Sequence, residues 1–243
     1  MGLGGKIAVV TGGGSGVGAA IARRFAEAGA QVVIVGRRLE QLQAACDEIK
    51  AAKPVRAIAA DVASRDEVGR LVEQVNADVG PIDILVNNAG VNIAARRLEE
   101  LSPADWDYIM EVNATGAFNM IQAVLPQMRA RGAGLIISVS SISGLRPSAL
   151  AGAAYSASKH ALAALTKVVG QEEERNGIRA TVISPGDINT PLLDKRPVPV
   201  SVEQRAKILQ PDDIAAAALF VATLPPHVSV PELVIKPVGQ PYG

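Results

Sequence analysis

The 243-residue chain holds one cysteine, Cys46, so no intramolecular disulfide is open to it and its fold must rest on a buried core. It lacks net charge, since twenty-four Lys and Arg balance twenty-four Asp and Glu. With no cationic excess to neutralise a phosphate backbone or hold an anionic bilayer, neither nucleic acid nor membrane is an expected partner. No apolar run nears the ~20 residues of a membrane helix, because Gly, Pro or a charge interrupts each one. The opening MGLGGKIAVV lacks the basic-then-apolar pattern of a secretory signal. It begins Met-Gly as a myristoylation signal does, yet has Lys6 where that signal requires Ser or Thr. These absences predict a soluble cytoplasmic protein. No low-complexity linker or internal repeat divides the chain, and 49% hydrophobic with 20% charged residues suits one domain over 1–243.

What the sequence does have is an alternation of periods. KIAVVT, QVVIVG, VRAIAAD, DILVNNAG, GLIISVSS, RATVISPG and ELVIKP are nearly continuous apolar runs, as fully buried parallel strands are. Helical patterns lie between them, one opened by Ser64 with Glu67 at capping-box spacing and another by Ser102-Pro103. This predicts an α/β fold, a Rossmann-type doubly wound parallel sheet with helices on both faces. Pro191 to Gln210, proline-rich and then amphipathic, reads as a mobile loop or substrate lid at about 190–210.

A ligand belongs at the carboxyl ends of such strands. The first end carries TGGGSGVG, Thr11 to Gly18, in which Gly12, Gly16 and Gly18 let backbone turn tightly and approach a pyrophosphate at a helix N-terminus. The second strand ends in Gly36, where an NAD-preferring site places Asp or Glu for the ribose hydroxyls. Arg37 follows, with Arg38 beside it, and a guanidinium can take a 2′-phosphate. NADP(H) is therefore the preferred cofactor, with NAD(H) the alternative.

Tyr155 and Lys159 lie four apart in AAYSASKHAL and share one helix face. A phenol near pKa ~10 exchanges protons poorly at neutral pH, and a cation at about 5 Å is worth roughly two pKa units at an effective dielectric of 20. Lys159 is expected to lower the Tyr155 pKa and so make the phenol an acid for a carbonyl oxygen. Ser141, at the end of the fifth strand, is the hydroxyl to polarise that carbonyl, while Ser140 or Ser143 can satisfy loop backbone. Asn113 and Gly116 interrupt a helical pattern, and Asn113 could bind a water linking Lys159 to solvent. Arg146 could meet a substrate carboxylate or stand in solvent. His160 points around the helix from Lys159 and reads as packing.

Taken together, these motifs resemble the short-chain dehydrogenase/reductase family over nearly the whole chain. Thr11 to Gly18, including Gly14, Ser15 and Val17, matches the family's T-G-x-x-x-G-x-G loop. Asp61-Val62 matches its adenine-contacting pair and Asn87-Asn88-Ala89-Gly90 its N-N-A-G. Asn113, Ser141, Tyr155 and Lys159 match its catalytic tetrad, the lysine also holding the nicotinamide ribose. Pro185-Gly186 with Ile188 and Thr190 resembles the segment that contacts the carboxamide. The resemblance implies strand order 3-2-1-4-5-6-7, a homotetramer and hydride transfer between nicotinamide and a carbonyl or secondary alcohol, with no metal. Its relatives include 3-oxoacyl reductases acting on acyl carrier protein, but ELVIKPVGQPYG replaces their hydrophobic-D-G-G ending and points toward reductases of small hydroxy acids or carbonyls. A nucleotide-binding sensor without turnover would often lack the tyrosine or lysine. An epimerase or dehydratase would usually be longer.

Overall fold

The computed structural model describes residues 2–241; the remaining ends of the expected 1–243 domain, residues 1, 242 and 243, lie outside the described residues. The seven apolar runs form the strands β1 (Ile7–Thr11), β2 (Gln31–Gly36), β3 (Arg56–Ala59), β4 (Ile84–Asn87), β5 (Gly134–Val139), β6 (Ile178–Pro185) and β7 (Glu232–Ile235). They make one parallel sheet in the order β3-β2-β1-β4-β5-β6-β7. Five of them are largely buried as expected. β3 and β7 are not, because each is an edge strand with one side open.

Alternate strand residues feed two cores. Val10, Ile34 and Ile137 point to the side where α1 (Gly16–Glu27) buries Ile21 and Phe25, α2 (Leu39–Glu48) buries Leu42 and α8 (Pro211–Thr223) buries Ile214. Val9, Val33, Leu85 and Ile136 point to the other, against α3 (Arg65–Asp78), α5 (Gly116–Arg131) and α6 (Ala153–Glu173). Fully buried side chains such as Phe25 and Met120 each contribute about 2 kcal/mol of hydrophobic burial. Two cores back to back hold the central strands rigid, and their carboxyl ends supply a fixed platform.

Local signals set the helix starts. Ser64 caps α3 by accepting from Glu67 N at 3.3 Å. Glu67 does not return the bond, as a capping box would, because its carboxylate takes Asp61 N at 2.9 Å instead. Ser102 caps α4 (Pro103–Met110), with proline in its first turn. From α4 the chain runs into α5 through a π turn at Glu111–Thr115, in which Gly116 N bonds back to Glu111 O. The segment expected as a mobile loop carries a 3₁₀ turn at Pro191–Lys195 and the short α7 (Val202–Arg205), tied by Arg196–Asp187 and Arg205–Asp194 ion pairs. No helix among the described residues is long and apolar enough to cross a membrane.

Candidate active site

β1 and β4 are neighbours although three strands apart in sequence, so their ends open a crevice at the switch in strand order. A cavity of about 350 Å³ fills it. The Thr11 hydroxyl ties the two ends together, accepting from Asn88 N and Ala89 N at 3.0 Å each and donating to Val86 O. Gly12 (φ +64°) and Gly16 (φ +53°) occupy the left-handed region, and a Cβ on Gly12 would stand 2.9 Å from Asn88 Nδ2. Gly14, Ser15 and Val17 line the cavity with them. No side chain caps α1 at Ser15, which leaves its first-turn N–H groups for a ligand's oxygens. Gly18 lies behind this wall: a Cβ there would fall 2.2 Å from Gly12 O, so its part is close packing of helix on loop.

At the far end the cavity is lined by Gly36, Arg37, Arg38, Asp61 and Val62. Arg37 Nη2 donates to the Tyr108 hydroxyl at 2.9 Å, and its guanidinium lies 5.7 Å above that ring. Asp61 Oδ1 accepts from Ala63 N at 3.0 Å, fixing the turn. These shapes suit a nicotinamide dinucleotide: a glycine cradle that a Cβ would fill, an uncapped helix start, and a cation without an acidic neighbour at Gly36.

At the near end the wall is Asn88, Ala89, Gly90, Tyr155, Lys159, Ile188 and Thr190. Lys159 is buried, its Nζ donating to Val139 O at 2.9 Å and standing 5.8 Å from the Tyr155 ring centre. Burial alone pushes its pKa down to about 8. Phenol and ammonium thus share one face, as the spacing predicted. The expected fall in the Tyr155 pKa does not follow from it. Desolvation raises the Tyr155 pKa and outweighs a hydrogen bond from Ser141 and the fields of Arg96 and Arg196, which lower it; Asp187 adds to the rise. A phenol this deep needs more positive charge than the chain itself supplies before it ionises near neutral pH.

Asn113 is fully buried in the π turn. Its Nδ2 donates to Val91 O and Ser158 Oγ at 3.0 Å each, and its Oδ1 accepts from Val91 N at 2.7 Å. Both side-chain donors are therefore spent on holding the loop after Gly90, which leaves the second lone pair of Oδ1 as the side chain's means of meeting a water. A Cβ on Gly90 would stand 3.3 Å from Lys159 Nζ and 3.5 Å from Asn113 Oδ1, so this crossing admits glycine alone without displacement. Ser140 Oγ donates to Lys159 O, Ser141 Oγ accepts from Ser143 N, and His160 Nδ1 bonds Ser156 O, the structural uses expected of 140 and 160.

A second cavity, of about 400 Å³, adjoins the first, and Ser140, Tyr155, Ile188, Thr190 and Leu192 line both. Pro185 and Gly186 line this second cavity rather than the first. Its other walls include Ser141, Arg96, Arg146, Arg196 and Gln240. Gln240 folds back from beyond β7 so that its Oε1 accepts from Asp187 N at 2.9 Å.

A family model described as short chain dehydrogenase matches residues 6–198. The chain belongs to the short-chain dehydrogenase family. An uncharacterised oxidoreductase of Staphylococcus epidermidis is 34% identical over 233 residues, covering 96% of this chain and 97% of that one. Among solved structures, a 3-ketoacyl-(acyl-carrier-protein) reductase from Brucella melitensis complexed with NADH is 33% identical, with TM-score 0.89 over 97% of this chain and 98% of that one. An alcohol dehydrogenase from the archaeon Thermococcus sibiricus complexed with 5-hydroxy-NADP is 29% identical, with TM-score 0.87 over 97% and 98%. This short-chain dehydrogenase is accordingly an oxidoreductase with a nicotinamide-binding fold.

Sequence reasoning missed Tyr108, Arg96, Arg196, Asp187 and Gln240. Tyr108, Arg96 and Gln240 reach the short-chain dehydrogenase site from distant stretches of chain, whereas Asp187 lies between Gly186 and Ile188 and Arg196 within the segment read as a lid, where neither residue type marks itself out. The pair Arg96-Arg97 shows why: one guanidinium is buried and the other exposed, and adjacent identical residues carry no signal of which is which.

Proposed function

We propose that this short-chain dehydrogenase is an NADP(H)-dependent reductase that interconverts a carbonyl compound and its secondary alcohol. The observation that carries the reading is the shared wall: Tyr155 stands where the two cavities meet, with Ser141 in the wall of the second cavity and Lys159 Nζ 5.8 Å from the phenol ring centre. Bound nicotinamide would supply the hydride to the substrate carbon, or accept it. The chain's own groups handle the oxygen. Ser141 donates a hydrogen bond to it and Tyr155 delivers or removes the proton. Lys159, fixed on Val139 O, holds positive charge beside the phenol and the ribose. The positive charge of oxidised nicotinamide, when bound, would add to it, in the sense needed to offset the desolvation that raises the Tyr155 pKa.

Gly12, Gly14, Ser15, Gly16 and Val17 would cradle the pyrophosphate, with Gly18 packing behind them; Asp61 and Val62 would flank adenine. Arg37 and Arg38 would meet the 2′-phosphate, which supports NADP(H) over NAD(H). Asn88, Ala89, Gly90, Ile188 and Thr190 would surround the nicotinamide half, with Pro185 and Gly186 between it and the substrate, and residues 190–210 would cover the substrate side. A homotetramer accords with exposed apolar residues on α4 and α6, Trp106 and Val168 among them. The test is NADPH oxidation against a panel of small ketones, oxo acids and 3-oxoacyl thioesters, with Tyr155→Phe as the control. The variant is expected to bind NADPH and lose turnover by at least a thousandfold. Wild-type rates in it would refute the proton-transfer role.

A further inference from the structure

Resting on the reductase reading, we propose that the substrate carries a carboxylate as well as the reacting carbonyl, and that Arg96 receives it. Among the described residues, the second cavity is lined by three guanidinium groups, Arg96, Arg146 and Arg196, and by one carboxylate, Asp187. That carboxylate is taken, because Arg196 pairs with it at 2.5 Å. Arg96 is only 6% exposed and makes no ion pair among the described residues. Its partners are the neutral carbonyls of Ile93 at 2.8 Å, Leu150 at 3.3 Å and Lys195 at 2.5 Å. These three bonds leave two of the five guanidinium N–H donors for a further partner.

A desolvated cation without an anion is costly, and three carbonyls do not neutralise it. The fold also makes room for this one. Gly152, which precedes the Tyr155 helix, has φ +87°, and a Cβ there would lie 2.8 Å from both Arg96 Cβ and Arg96 O. Burial, and then the like charge of Arg196, already press against the protonated form of Arg96. A neutral ketone would leave that strain in place. A carboxylate entering beside Tyr155 would pair with the fork, fix the carbonyl's orientation and stay chemically unchanged while hydride and proton add across C=O.

The experiment compares 2-, 3- and 4-oxo acids of four or five carbons with their own methyl esters, using NADPH and the full-length enzyme. At least one acid should exceed its ester tenfold or more in kcat/KM, Arg96→Met should bring that ratio to about one, and Arg96→Lys should retain part of it. Calorimetry in the presence of NADP⁺ adds a reading independent of turnover: 3-hydroxybutyrate should bind tenfold or more tighter than 3-hydroxybutyramide. Should the Met variant fail to fold, this wild-type comparison decides alone. Esters reduced as well as acids, a ratio that survives Arg96→Met, or equal binding of acid and amide would overturn the carboxylate site while leaving the reductase reading intact. Preferential binding of the acid with no reduction of any carbonyl would do the reverse.

Discussion

Replacing Lys159 by methionine removes a buried ammonium, and the effect on stability must depend on pH in a fixed sense. In the folded chain the Lys159 pKa is lowered from 10.5 to about 8 by burial. The unfolded chain therefore binds more protons between those values, and unfolding free energy rises with pH across that window. Two and a half units at 1.36 kcal/mol each give about 3 kcal/mol, present as a penalty below pH 8 and gone by about pH 10.5. Lys159→Met has no such penalty. The stability gap, wild type minus variant, should grow in favour of wild type by about 3 kcal/mol from pH 7.5 to 10.5. The raised Tyr155 pKa acts in the opposite sense above pH 10, but it is common to both proteins and largely cancels in the difference. Urea unfolding of the cofactor-free proteins at half-unit intervals of pH measures it. A gap that stays flat, or shrinks as pH rises, would show that the ammonium is solvated and would remove the electrostatic basis of the site.

Three further outcomes are expected. Arg37→Ala should lower kcat/KM for NADPH by roughly 10- to 100-fold, the worth of one charge-assisted contact, and leave NADH within about threefold; equal losses would deny a 2′-phosphate role. Asn113→Ala strands Val91 N–H and Val91 C=O and takes a donor from Ser158 Oγ, which keeps its own bond to Tyr155 O, so urea unfolding should register a loss on the order of 3 kcal/mol, and under 1 kcal/mol would contradict the bonding described. Gly18→Ala drives a Cβ to 2.2 Å from Gly12 O and 2.5 Å from Asn88 Nδ2, so NADPH titration should show affinity reduced more than tenfold. Unchanged affinity would mean the cradle is not rigid.

The sheet was legible because each strand announces itself locally, in an unbroken run of β-branched and aliphatic residues. Even so, the apolar residues of β3 and β7, Ile58 and Leu233 among them, look like those of the buried strands, and it is their position at the edges that leaves them half open. Local spacing also brought Tyr155 and Lys159 together. It could not weigh the phenol's whole surroundings, since Arg96, Arg196 and Asp187 come from loops up to 59 residues away and desolvation comes from the fold itself. Likewise the spacing of Ser64 and Glu67 predicted a reciprocal cap, while a nearby backbone donor at Asp61 competed successfully for the carboxylate.

The π turn at Glu111–Thr115 inserts one residue into what is otherwise a single rod from Pro103 to Arg131. Along that rod Tyr108 steadies Arg37, Asn113 grips Val91, and Asn119 donates to the carbonyls of Val62 and Ala63. Each residue advances a helix by about 100°, so deleting one from the turn would rotate the Tyr108 end relative to the Asn119 end by that amount. The insertion is thus an angular spacer that lets one beam keep three grips aligned, and an otherwise silent single-residue deletion here would uncouple the ends of the nucleotide cleft.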